Sequence, residues 1–142
     1  MKLEPEQAAR DICRALKLGL SGAEWLRSLG PEKVSAAYNG IGPERMPEKW
    51  RARLDSWLWL FRIPCEIHDC DFSYANTGDE AGFGAANFRL EKNCLVMADA
   101  EYAWYNPLRY VWRRRARLVA LACREFGWSA WRDAFEKNNK KG

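Results

Sequence analysis

Residues 64–74 read PCEIHDCDFSY and contain the only histidine of the chain, His68, followed directly by Asp69. Pro64 suits the first turn of a helix, where its missing N–H costs least. We predict that this helix continues to about residue 77, because the Asn-Thr-Gly sequence that follows is typical of a helix end. The helix therefore carries an imidazole beside a carboxylate, which is either a chemical site or an ordinary polar surface.

A second long helix is predicted to follow at once. Asp79 can cap it, and it runs over about residues 80–104, although two early glycines weaken its first turn. We expect the helices at about 64–77 and 80–104 to form an antiparallel central pair.

The rest of the chain also has helical periodicity. Asn106 and Pro107 can start a further helix that Gly127 ends, and shorter helices are predicted over residues 4–20, 21–30, 31–38, 48–61 and 129–139. Ser21 is the candidate N-cap of the second of these and Gly30 its stop. No alternating run is long enough for a strand. We therefore predict one all-α domain over residues 1–142.

The tryptophans of the 48–61 segment divide between two predicted environments. Trp50 and Trp57 lie on its apolar stripe and are predicted to be core residues, whereas Trp59 lies off the stripe and is the candidate for an exposed contact. Further along, the segment WRRRARL (residues 112–118) has arginines all around its helix. It predicts a solvated basic face, with nucleic-acid or anionic-lipid contact as the minority alternative.

Composition limits the class of protein. The 142 residues are 48% hydrophobic, include eight tryptophans and carry a net charge of +4, which is not the composition of a disordered tail. The longest apolar runs are too short for a membrane span. Five scattered cysteines, an odd number, favour reduced buried thiols over a disulfide framework.

The segment YNGIGP, residues 38–43, is the clearest loop and has the form Y-x-G-x-G. Glycines at alternate positions allow the backbone to turn its carbonyls toward one point, which is how a loop can surround a calcium ion. Asp69 could supply the charged oxygen ligand that such a loop lacks. Taken alone, the same segment is more often a plain turn.

The loop and the helix together resemble a known family. Tyr38-x-Gly40-x-Gly42 followed by Cys65-x-x-His68-Asp69 is similar to the phospholipase A2 superfamily, in particular its prokaryotic and parvoviral branches. The resemblance covers about residues 38–95. It implies a phospholipase A2-like fold and calcium-dependent hydrolysis of a glycerophospholipid ester.

The resemblance also implies roles for single residues. His68 would be the general base that activates water, and Asn87 would hold its imidazole from the second helix. The calcium ligands would be Asp69 with the carbonyl oxygens of Tyr38, Gly40 and Gly42. The partners would be a phospholipid or a membrane surface, contacted peripherally and without a transmembrane segment.

Two departures from the family pattern open a second function. The family has Asp where this chain has Asn87, and usually Tyr where this chain has Phe72. Both departures favour a non-catalytic phospholipase A2-like structural or interaction protein, possibly phage-derived, whereas the intact His68-Asp69 pair and the loop favour the enzyme. A single histidine excludes the metal-dependent phosphohydrolases that need several.

Two cysteine-based sites are alternatives for the same helix. Zinc bound by Cys65, His68 and Cys70 is disfavoured, because Cys70 points away from the other two on a helix. A Cys65–His68 thiol pair is geometrically possible.

The start of the chain, MKLEPEQAARD, does not have the pattern of a signal peptide, so we expect synthesis in the cytoplasm. A calcium-dependent enzyme would then act after release or delivery into a calcium-rich space.

Overall fold

The computed structural model describes residues 2–40 and 46–141, and these are all-helical in their regular structure. The helices are α1 (Pro5–Leu18), α2 (Ala23–Leu29), α3 (Pro31–Ala37), α4 (Glu48–Trp57), α5 (Arg62–Tyr74), α6 (Glu80–Glu101), α7 (Pro107–Phe126) and α8 (Trp128–Lys140), with a 3-10 turn at Trp59–Phe61. The predicted all-α class is confirmed. The phospholipase A2-like arrangement of these helices stays a prediction.

The predicted central pair is α5 and α6, joined by only five residues. His68 contacts Asn87 near this connection, while Ile63 and Met97 line the same pocket toward the other end. Residues early in α5 therefore meet residues late in α6, and residues late in α5 meet residues early in α6, which confirms the antiparallel packing. The structure starts α5 at Arg62, so Pro64 lies within its first turn, and it ends α6 at Glu101.

The main hydrophobic core lies between this pair and the helices on either side. Side chains from α1, α2 and α3 pack on one flank and α7 packs on α6 at the other, with Leu26, Phe61, Ile67, Leu90 and Trp112 among the buried residues. Phe61 and Trp112 meet edge to face, with ring centroids 5.2 Å apart. The core thereby fixes both helices that carry the candidate site.

A smaller aromatic cluster lies beneath α8. Trp131 is buried against Phe72 and Phe83, with centroid distances of 4.9 Å and 6.0 Å, and its indole N–H donates to the carbonyl of Asp79 at 3.1 Å. Asn76 and Arg132 add side-chain bonds across the same junction. The last helix is thus fastened to the α5–α6 connection.

The predicted capping and stop residues are confirmed with one exception, although α4, α5 and α6 end three or four residues earlier than predicted. Asp79 and Asn106 accept hydrogen bonds from the N–H groups of Gly82 and Leu108, and Gly30 and Gly127 end their helices, as predicted. The prediction for Ser21 is wrong. Its main-chain N–H and C=O both bond to the Asn93 side chain, at 2.9 Å each, and Gly22 precedes α2 instead.

The prediction that Trp50 and Trp57 are core residues is wrong. Their exposed fractions are 53% and 43%, and α4 has no buried residue. The helix lies on the outside of the domain, where Arg53 stacks on Trp50 and Arg115 from α7 stacks on Trp57. The predicted exposure of Trp59 is confirmed at 51%.

The basic segment of α7 is less solvated than predicted. Arg113 pairs with Asp99 at 2.7 Å, and Arg115 lies over both Trp57 and Trp112, so these two arginines hold neighbouring helices. Arg114 and Arg117 are exposed. All five cysteines are free thiols, as predicted, but the prediction that they are buried holds only for Cys65, Cys70 and Cys94, because Cys13 is exposed and Cys123 is half-buried. Within residues 2–40 and 46–141, no helix combines the length and apolar character that a membrane crossing requires.

The aromatic cluster beneath α8 predicts a large stability effect. Trp131→Ala removes a fully buried indole and its hydrogen bond to the Asp79 carbonyl, which keeps the Phe83 N–H as a donor, so it should lower the free energy of unfolding by about 3–5 kcal/mol. Trp104→Ala, which removes an indole that is 73% exposed, is the matched control. Urea denaturation measures both, and equal losses would show that α8 does not depend on this cluster.

Candidate functional site

The candidate site is built where α5 faces α6. The His68 Nε2 atom lies 3.0 Å from the Asn87 Oδ1 atom, so the two residues meet as predicted. With an amide oxygen as its partner, Nε2 carries the ring proton and Nδ1 has a free lone pair. The Nδ1 atom makes no hydrogen bond with any described residue. The half-buried ring therefore presents an unprotonated nitrogen.

The surroundings keep His68 neutral. Burial lowers the pKa of His68 below its usual 6.5, and the Asn87 hydrogen bond only partly opposes this. Its ring packs on Phe72, with centroids 4.7 Å apart, and Phe72 in turn belongs to the cluster around Trp131. At neutral pH the imidazole can therefore accept a proton.

The Asn87 side chain is almost completely buried. It is only 2% exposed, and its Nδ2 donor has no hydrogen-bond partner in the described chain. A buried donor left in this state costs about 1–3 kcal/mol. The amide therefore bonds the imidazole through its oxygen alone, and its buried Nδ2 donor lowers the stability of the fold.

The loop lies against Asp69. The Asn39 N–H donates to Asp69 Oδ2 at 3.0 Å, which places Tyr38 and Gly40 beside the carboxylate, with Gly40 at φ 89°. Burial raises the pKa of Asp69 to about 7, while the Asn39 bond and the charge of Arg51 lower it. Gly42, the remaining predicted ligand, lies outside the described residues. The predicted metal roles of these residues stay predictions.

Hydrogen-bond donors lie beside the described residues that the resemblance makes calcium ligands. Calcium needs oxygen lone pairs directed at one point. Here an N–H is directed at Asp69, and Arg51 Nη1 donates to the Asn39 carbonyl at 3.3 Å. The expected donor set thus has a hydrogen-bond donor and a guanidinium in its midst, and we derive no step through calcium.

A buried acidic cluster next to the site was not anticipated. Glu66 on α5 is 0% exposed and lies beside Asp11 of α1 and Arg62, which bonds Asp11 through two nitrogens at 2.9 Å and 3.0 Å. Burial raises the pKa of Glu66 from 4.5 to about 10, and the neighbouring Asp11 adds to the shift. The i, i+4 spacing of Arg62 and Glu66 was the one sequence signal for it.

The thiol alternatives find no support. Burial raises the pKa values of Cys65 and Cys70, which disfavours the thiolate that a nucleophile or a zinc ligand needs. Among residues 2–40 and 46–141, no three histidine, cysteine or acidic side chains are grouped as a metal site. His68 therefore contacts Asn87 and Phe72, and a reactive partnership with a cysteine is disfavoured.

No protein family, curated protein or solved structure matches this chain. The resemblance to the phospholipase A2 superfamily thus depends on the quoted motif residues. The contact between His68 and Asn87 is the structural observation that agrees with it.

The protonated state of Glu66 predicts a pH-dependent stability. Near neutral pH the folded chain holds a proton on Glu66 that the unfolded chain, with its pKa near 4.5, has lost. Stability from this group should therefore fall as pH rises, by up to about 1.4 kcal/mol per pH unit until its folded pKa is passed.

Glu66→Gln removes this dependence and is tested by urea denaturation at pH 6, 7 and 8. The variant should gain stability over the wild type steadily with pH, because its side chain cannot lose a proton. Glu125→Gln, at an exposed position on α7, is the control and should keep the wild-type slope. Parallel profiles for Glu66→Gln and wild type would contradict a protonated Glu66.

Proposed function

We propose that the protein hydrolyses a carboxylic ester of glycerophospholipids in the manner of a phospholipase A2, with His68 as the general base. The observation that carries this proposal is the His68–Asn87 contact at 3.0 Å, which leaves Nδ1 with a free lone pair on a neutral ring. Such a nitrogen can take a proton from water at neutral pH. Asp69, next in sequence, ties the same helix to the loop.

The reaction then follows from the two ring nitrogens. Nδ1 takes a proton from water as the water oxygen bonds to the ester carbonyl carbon, and the carbonyl becomes an oxyanion. When the oxyanion collapses, the bond to the glycerol oxygen breaks, and the imidazolium returns its proton to that leaving oxygen. Throughout, the Asn87 oxygen accepts the Nε2 proton and keeps the ring in the productive tautomer.

Asn87 makes this a slow enzyme. Its amide carries no charge to stabilise the imidazolium, and rotation of the amide would present NH2 to Nε2 and favour the wrong tautomer. In a serine protease triad, replacing the orienting Asp with Asn costs about ten-thousand-fold, which is an upper bound here. An acid at this position should raise activity.

An exposed aromatic surface supports a lipid as the substrate. Trp50 and Trp57 line an apolar groove of about 330 Å³ on the outside of α4, and Arg53 and Arg115 stack on them. Tryptophan and arginine side chains suit the headgroup region of a bilayer, where ring and charge are both accommodated. The same helix contributes Arg51 to the loop, so the surface and the site share one element.

The second candidate is a non-catalytic relative that uses this surface to bind. The uncharged Asn87, with its unpartnered Nδ2 atom, and Phe72 in place of a tyrosine favour it. It predicts lipid or partner binding without turnover, so an activity measurement separates the two.

The activity test uses a fluorogenic phospholipid with and without calcium. Wild type should hydrolyse it slowly, and His68→Ala and His68→Gln should lose the activity because neither can act as the base. Asn87→Asp should raise the rate and raise the pKa of His68 in an NMR titration, because a carboxylate stabilises the imidazolium. Lys92→Ala, exposed on α6, is the control. Equal rates for wild type and His68→Ala would refute the proposal that His68 catalyses hydrolysis.

The surface test uses vesicles of phosphatidylglycerol or of phosphatidylcholine. Wild type should sediment with the anionic vesicles, and Trp50→Ala/Trp57→Ala should bind several-fold more weakly because its interfacial rings are lost. Phe126→Ala is the control, since Phe126 is 81% exposed but lies 11 residues beyond Arg115 on α7, about 16 Å away. Undiminished binding by the double variant would assign lipid contact to another surface.

A further inference from the structure

The outer side of α7 carries an exposed apolar stripe. The inner side of this helix is buried in the domain, where it packs on α6. The outer side holds three large aliphatic residues with exposed fractions of 42%, 46% and 47%, namely Val111, Leu118 and Leu121. Arg114 and Glu125 lie on the same side and are also exposed. At about 100° per residue these five positions fall within an arc of about 80°.

The spacing of these five residues, which we call the α7 seam, is that of a surface on which a second helix packs. They lie 3, 4, 3 and 4 positions apart, which is the spacing of the a and d positions of a coiled coil. A stripe with this spacing stays on one side of the helix and fits a partner helix that has the same spacing. The α7 seam is therefore suited to pack on another copy of itself.

The two charges of the α7 seam favour one arrangement of such a pair. Arg114 and Glu125 make no hydrogen bond or ion pair with any described residue of their own chain. They are 11 residues apart, or about 16 Å along the helix, so they cannot pair with each other within one chain. When two copies of α7 meet antiparallel about a two-fold axis, Arg114 of each chain lies opposite Glu125 of the other. In the same register Leu118 of each chain meets Leu121 of the other.

We propose that the protein forms a weak homodimer through the α7 seam, with the two helices antiparallel and two Arg114–Glu125 ion pairs that set their register. A two-fold axis repeats each of these contacts, which is the usual symmetry of a homodimer. An anionic lipid surface suits the α7 seam less well, because it would repel the carboxylate of Glu125. The dimer does not depend on the proposed hydrolysis, since the α7 seam contains no residue of the His68 site.

This dimer should be weak. The α7 seam spans 14 residues, or about 21 Å, so two copies bury a small interface. On one flank of the pair the exposed Arg117 approaches Arg124 of the second copy, and these like charges oppose association. We expect a dissociation constant of roughly 10–100 µM. Denaturation and activity measurements at about 1 µM therefore report on the monomer.

Sedimentation equilibrium between roughly 2 µM and 500 µM tests the dimer, because the average mass should rise from one chain toward two. Leu118→Ala/Leu121→Ala removes the apolar contacts and should weaken association by about tenfold or more. Trp104→Ala, which removes a larger exposed side chain outside α7, is the control and should associate as wild type. A wild type that stays monomeric throughout would overturn the proposal. Weaker vesicle binding by the double variant of such a monomer would assign the α7 seam to lipid instead.

Charge reversal tests the register. Arg114→Glu and Glu125→Arg should each weaken association by about tenfold or more, because each places like charges opposite each other. An equimolar mixture of the two variants should associate as wild type, since both ion pairs of the mixed dimer again join opposite charges. All these positions are exposed, so circular dichroism should show wild-type helix content.

Arg124→Glu is the matched control for the change in net charge. It alters the charge of the chain as Arg114→Glu does, but it should tighten association, because it replaces the repulsion from Arg117 of the second copy with an attraction. Equal weakening by Arg124→Glu and Arg114→Glu would overturn the antiparallel register. Failure of the mixed variants to associate would overturn it as well.

Discussion

The pairing of α5 with α6 is the constraint on which the rest of the structure depends. A five-residue connection forces the two helices antiparallel, and the buried face of α5 is then committed to partners on every side. This helix is unusually polar, because Glu66, His68, Asp69 and Asp71 lie within six residues and point in different directions around its axis. Burial of such groups costs free energy unless each one is paired or neutralised.

Three neighbouring elements meet these polar groups on α5. Asp69 accepts a bond from the loop after α3, His68 meets α6, and Asp71 pairs with Arg89 of α6 at 3.0 Å. Glu66, next to Asp11 of α1, is instead kept protonated by burial. These polar contacts therefore position the neighbouring elements alongside the apolar core. The candidate site is one part of this larger set of contacts.

The chemistry that this arrangement supports is that of a neutral pair. Burial lowers the pKa of His68 and its partner brings no charge, so the imidazole is a free base whose conjugate acid is weakly stabilised. The stacking of Phe72 on both His68 and Trp131 also makes α8 a support for the imidazole.

Much of the helical framework could be predicted from the sequence alone. Caps and stops are local, so Asp79, Asn106, Gly30 and Gly127 mark their helix ends whatever the neighbours do. The meeting of His68 with Asn87 was also predicted, through the resemblance of the motif residues to the phospholipase A2 superfamily, and the short connection between the two helices is consistent with it. Ser21 shows the limit of local signals, since Asn93 on a distant helix takes both of its main-chain groups.

Tertiary structure alone decided which faces are covered and which charges meet. Periodicity identified the stripe of Trp50 and Trp57 but could not show that no helix packs on it, because a stripe is equally apolar on the outside of a domain. The burial of Glu66 and the approach of Arg51 to Asn39 likewise depend on residues far apart in the chain. The sequence by itself determined the helices and the His68–Asn87 pair. Packing decided the charge contacts and the exposed surface, because both depend on three-dimensional neighbours.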